Sequence, residues 1–130
     1  MCLLTKQLLP RRATKPITVY KLVYKEHGMY FTPFMHKSIG IYGYIQAAGP
    51  LTGTPVNDPS MPRRMTHVSS GYIHAYRNLE NAKSWCRFYN TNPAAHNYKI
   101  MECIIEPGTL YYKGYTEICA RSLTTKGIVY

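Results

Sequence analysis

The sequence predicts an α+β domain: a single antiparallel sheet of about five or six strands with one main helix packed on a face. Three observations lead there. Short runs rich in β-branched and aromatic residues, such as ITVYKLVY over 17–24, recur between Gly- and Pro-bearing turns. One segment, beginning at Asn78, combines a helix-start residue with helical periodicity. The composition, 45% hydrophobic and 17% charged over 130 residues, is that of one folded core and not of a disordered chain.

Residues 1–15 read as a flexible basic N-terminal segment, and 16–130 as the domain itself. Lys6 and Gln7 interrupt the leading apolar residues before a signal-peptide core accumulates, so secretion is not indicated. No apolar run approaches the length of a membrane span. Cys2, Cys86, Cys103 and Cys119 form no CxxC pair, and Cys86, His96 and Cys103 are too loosely spaced for a zinc site. The cysteines therefore read as small buried hydrophobes of a reduced, cytoplasmic protein, with no disulfide, metal or cofactor expected.

After Pro16, residues 17–24 form the first strand, the Lys25-Glu26-His27-Gly28 stretch turns, and 29–34 return beside it. Pro33 argues against a central place for that second strand, because proline has no N–H to donate to a ladder. Residues 39–45, IGIYGYI, repeat the strand composition. Between Gly49 and Arg64 lie Pro50, Pro55, Pro59 and Pro62, which make 49–66 a long Pro-rich loop. Asn78 is a good N-cap with Glu80 in the first turn, and Leu79, Ala82, Cys86 and Tyr89 then share a face, with Trp85 beside them. Asn90, Asn92 and Pro93 stop the helix. Residues 98–105 read as an inner strand, Glu106-Pro107-Gly108 as a type II turn, and 109–113 with 116–122 as a continuing meander closed by a short strand over 128–130.

Sixteen Lys and Arg against six Asp and Glu give a net charge of +10, a field that attracts polyanions. Thirteen tyrosines accompany it. Tyrosine suits strands, and its ring also stacks on nucleic-acid bases. The segment Gly71-Tyr72-Ile73-His74-Ala75-Tyr76-Arg77 unites both features: period two puts Tyr72, His74 and Tyr76 on one face, with Arg77 at the border beside a helix start. Two aromatic platforms, an imidazole and a guanidinium are what a nucleotide needs, and Arg63 and Arg64 at the end of the long loop could add bidentate phosphate contacts. The leading reading is thus a non-enzymatic binding protein for an anionic nucleotide-type ligand or nucleic acid, held by Tyr72, His74, Tyr76, Arg77, Arg63 and Arg64.

The run GYIHAYRNLENAKSW, with the later IIEPGTLYYKG and EICARSL, resembles a pattern of small uncharacterised proteins of phages and gut bacteria, spanning about the last 60 residues. In that pattern a Gly-aromatic-His segment precedes a helix opening with a leucine and an acid, and a Pro-Gly turn leads to a Tyr-rich strand. The resemblance implies a phage or mobile-element protein that counters host defence by binding a nucleotide signal or a host macromolecule.

Two other readings come from different classes. One is similarity to the His-Tyr-Glu arrangement of ADP-ribosyltransferase-like folds, which implies an NAD-handling enzyme with His74, Tyr89 and Glu117 as catalytic candidates. The other is a protein-partner or structural module, which predicts a homo-oligomer or a co-purifying protein. Paired-carboxylate hydrolysis is excluded by the scarcity of acids, and phosphate-loop and dinucleotide chemistry by the absence of GxxxxGK and GxGxxG strings.

Overall fold

The computed structural model describes residues 3–7, 9–33, 38–39, 43–47, 53–56, 60, 65–68, 73–91 and 97–130. Among these the chain forms β1 (Leu3–Thr5), β2 (Arg11–Arg12), β3 (Ile17–Glu26), β4 (Met29–Phe31), β5 (Ser38–Ile39), β6 (Tyr44–Gln46), β7 (Gly53–Val56), β8 (Met65–Val68), β9 (Ile73–Tyr76), α1 (Leu79–Asn90), β10 (Tyr98–Ile105), β11 (Leu110–Lys113), β12 (Glu117–Ala120) and β13 (Ser122–Ile128). The protein is mostly β, which corrects the expected α+β class with its single sheet of five or six strands. Ten described strands join in one antiparallel sheet and three more in a second, beside a single helix of 12 residues. The missed strands are mostly two to four residues long, too short to display the alternation by which a strand is read.

Three of those short strands fall where a tail or a loop was expected. The supposedly flexible segment 1–15 contributes β1, which pairs with β8, and β2, which pairs with β11. Thr5 Oγ1 donates to the carbonyl of Lys113 at 2.5 Å, and Gln7 Nε2 to that of Tyr111 at 2.9 Å. The backbone of Ala13 exchanges hydrogen bonds with Thr109 and Gly108 across the turn before β11. Within the Pro-rich 49–66 stretch, β7 pairs with β8. There Gly53 lies against the Tyr112 ring and the Thr66 side chain, so closely that a Cβ would collide with the Thr66 methyl.

In the large sheet the order runs β2-β11-β12-β9-β3-β10-β13-β6, with β4 attached to the far end of β3 and β5 to β4. The turn between β3 and β4 is the expected hairpin: His27 and Gly28 both take positive φ, 51° and 78°, as a two-residue mirror-image turn requires. Gly108, at φ 88°, likewise fills the left-handed position of the turn before β11, closed by Thr109 N–H donating to Glu106 O at 3.1 Å.

Strands β12 and β13 lie four places apart in this order, yet only Arg121 separates them in the chain. Four strand spacings in a flat sheet would be roughly 19 Å, whereas the two residue steps from Ala120 to Ser122 reach at most about 7.6 Å. The sheet must therefore curl until β12 and β13 come together. Backbone hydrogen bonds seal the closure, since Arg121 N–H donates to Leu110 O at 3.0 Å and Ala47 N–H donates to Arg121 O at 2.7 Å. The enclosed face is the main core, built from Val19, Val23, Ile45, Ile73, Ala75, Met101, Cys103, Ile105, Ile118, Ala120 and Leu123 with Ala13.

The opposite face of the sheet is covered in two places. Helix α1 lies over β3, β9 and β10, burying Leu22, Tyr76, Ala82, Cys86 and Ile100. The small sheet covers β11 and β12, with Leu3 and Val68 packed on Tyr112 and Cys119. No described helix is long and apolar enough to cross a membrane.

Alternation along β3 puts Lys21 between Val19 and Val23 on the enclosed side, and it is only 8% exposed. Its ammonium donates to the His74 carbonyl at 2.8 Å. Burial lowers its pKa from 10.5 to about 8, Cys103 acting weakly the other way. Below about pH 8 the folded and unfolded chains both carry the proton, and the cost of burying the charge is constant. Between there and 10.5 only the unfolded chain keeps it, so this group makes stability rise with pH. The buried thiols of Cys103 and Cys119, pushed up to about 12 by burial, act oppositely as pH climbs past their unfolded value of 9.0. Comparison with Lys21→Met cancels them. The stability of Lys21→Met relative to the parent is expected to fall by about 1 kcal/mol between pH 7 and pH 9 in urea titrations, and a constant difference contradicts the assignment.

Candidate functional site

Strand β9 carries the residues on which the sequence places a ligand face. His74 and Tyr76 do share a side of it, the one turned away from the main core, but they are 7% and 2% exposed. This corrects the expected stacking surface. The chain turns back at Arg77 and Asn78, so that α1 returns over the strand it has just left and covers Tyr76 with Ala82 and Cys86. Burial, followed by the nearby Glu117 and Tyr89, pushes the Tyr76 phenol pKa well up and keeps it neutral. Tyr72, Arg63 and Arg64 lie outside the described residues.

The alternative catalytic trio is gathered on the same covered side. Glu117 is opposite Tyr76, and Cys119 is opposite His74, in the β9–β12 ladder, which makes His74 and Glu117 diagonal neighbours. Tyr89 descends from α1 and packs on Tyr98, ring centroids 5.3 Å apart. Burial raises the Glu117 carboxyl.

Tyr89 and Glu117 are half-buried, and Arg77 is the described candidate that is exposed, at the wall of a cleft of about 450 Å3 lined by Arg77, Asn78, Asn81, Tyr115 and Thr116. The cleft is open to solvent, and its lining is polar apart from the Tyr115 ring. Each wall has a local cause. On one side Asn78 caps α1, its side-chain oxygen accepting from Asn81 N–H at 2.8 Å. On the other, the Gly114–Thr116 turn joins β11 to β12, closed by Gly114 N–H donating to Glu117 O at 2.8 Å. Arg77 clamps the two together: its backbone N–H donates to Thr116 O at 2.9 Å, and its Nη1 to the carbonyls of Gly114 and Tyr115, each at 3.0 Å. At most two of the five guanidinium N–H donors are thereby engaged, and the others remain for a ligand.

Tyr115, at the tip of this turn, is 93% exposed. A signal for it was present in the sequence, where Gly114 breaks two strand runs and leaves the next residue at a turn tip. Among the described residues the Lys or Arg ion pair is that of Lys83 with Glu80 at 3.7 Å, so the surplus of cations is left largely uncompensated. No three described His, Cys, Asp or Glu side chains converge as a metal site would need.

Compared with known proteins, the chain matches no family model, no curated protein and no solved structure.

Asn78→Ala should cost about 1 kcal/mol of unfolding free energy, and Asn78→Asp should restore most of it, as measured by urea unfolding. Equal stability of all three proteins would mean that the cap does not set the cleft wall.

Proposed function

We propose that this is a non-enzymatic binding protein for an anionic nucleotide-type ligand or nucleic acid, and that the ligand is held in the cleft between the start of α1 and the β11–β12 turn. The observation that carries the reading is Tyr115, a fully presented ring, beside the partly free guanidinium of Arg77 on a protein of net charge +10. The ring offers a base its face, the guanidinium answers phosphate, and Asn78 and Asn81 supply polar groups at the rim. Stacking contributes about 1–3 kcal/mol per base and basic side chains a salt-sensitive remainder. The three described cysteines, Cys86, Cys103 and Cys119, are free and buried, which fits a reducing cytoplasm. The phage setting suggested by the resemblance is one in which such a protein sequesters a nucleotide signal.

Calorimetric titration with cyclic and linear nucleotides and with single-stranded RNA, at two salt concentrations, tests the reading. Binding should weaken with salt and fall at least tenfold in Arg77→Ala and in Tyr115→Ala. The second substitution isolates ligand contact, since so exposed a ring contributes little to packing. Absence of binding to every nucleotide and to RNA would falsify it.

A further inference from the structure

We infer that the ligand is a single-stranded nucleic acid, with bases stacking on Trp85 and Phe88 along the outer side of α1 beyond the cleft. The inference rests on the reading above and deepens it. Asn81 lines the cleft, and Trp85 and Phe88 follow it at four- and seven-residue spacing, the positions that form one stripe on a helix. From Asn81 to Phe88 the stripe advances about 10 Å, longer than a single base needs.

Both rings are presented to solvent: Trp85 is 43% and Phe88 64% exposed. They sit edge to face with centroids 5.7 Å apart, and Tyr89 lies 6.0 Å from the one and 5.7 Å from the other. Behind Tyr89 the ring contacts continue through Tyr98 and Tyr24 to Phe31, at 5.3, 6.1 and 5.6 Å. The exposed pair is thus the outer end of a six-ring array anchored in the sheet, which holds it in place before any ligand arrives. Large rings left in water on a well-packed helix call for a partner.

Charge selects which partner. The chain as a whole is strongly cationic, and on α1 itself Lys83 and Arg87, on the flank turned away from Trp85 and Phe88, stand against Glu80, with which Lys83 pairs at 3.7 Å. Two copies of this chain, each of net charge +10, repel one another as they approach, whereas a polyanion is drawn to either. A single strand is also the polyanion whose unpaired bases can turn a flat face to Trp85 and Phe88, which the stacked bases of a duplex cannot do.

Trp85 is the chain's one tryptophan, so its emission reports occupancy of this face directly. The intact protein is titrated with uridine monophosphate, with oligouridylates and oligothymidylates from two to eight nucleotides, and with inorganic polyphosphate. The expected result is tenfold or greater tightening from the mononucleotide to the tetranucleotide, accompanied by quenching of Trp85. The doubly substituted Trp85→Leu/Phe88→Leu protein, which keeps apolar bulk on the helix, should lose at least tenfold of the tetranucleotide affinity. The RNA and DNA series show which sugar is preferred, and either preference supports the inference. Mononucleotide binding with no gain on lengthening and no quenching sinks it while leaving the cleft reading intact; no binding to any nucleotide sinks both. Polyphosphate binding as tightly as the oligonucleotides shows charge without stacking and overturns it. Self-association that is lost in the double variant, without any length dependence, assigns the face to a second copy and overturns it as well.

Discussion

Arg121 is the only residue between the end of β12 and the start of β13, and the backbone around it is held on both sides, by Leu110 and by Ala47. The architecture follows from that short link. Because strands so far apart in the sheet order are covalent neighbours, the sheet cannot lie flat, and its apolar side is driven inward to meet itself. Its other side then needs cover, which α1 supplies over β3, β9 and β10 and the small sheet over β11 and β12. The cleft opens between the start of α1 and the β11–β12 turn.

The closed core is not wholly apolar. Lys21 projects into it because strand alternation leaves no other side for it, and its ammonium finds the His74 carbonyl. That bond ties β3 to the strand from which Arg77 emerges. The clamp at the cleft is thus built on a strand fixed from within as well as by its neighbours β12 and β3.

Much of this was legible in the residues where local chemistry decides the outcome. Asn78 caps the helix as its amide suggests, the β3–β4 hairpin turns at His27 and Gly28, and β10 is the inner strand its apolar run implies. What could not be read depended on partners distant in sequence. Arg11 and Arg12 look like a solvated tail until β11 is there to pair with them, and no pattern two residues long announces that. The shared side of His74 and Tyr76 followed from period two, but their burial came from the path of the helix after Arg77. Trp85 shows the reverse: its place beside the apolar helical face suggests the interior, and it is at the surface.

The pairing of β1 has a further consequence for how the molecule assembles. Thr5 is bonded to Lys113 across 108 residues of chain, Lys21 to His74 across 53, and the central strand β3 finds its long ladder only in β10. Local pairing is confined to α1 and to the hairpin-like pairs β3–β4, β4–β5, β7–β8 and β11–β12, while the ladders that order the large sheet join distant segments. A topology so dominated by remote contacts pays its loop-closure entropy before it is rewarded, which places folding on the slow, millisecond-to-second end of small-domain kinetics. During synthesis β2 must therefore wait, unpartnered, until β11 has emerged.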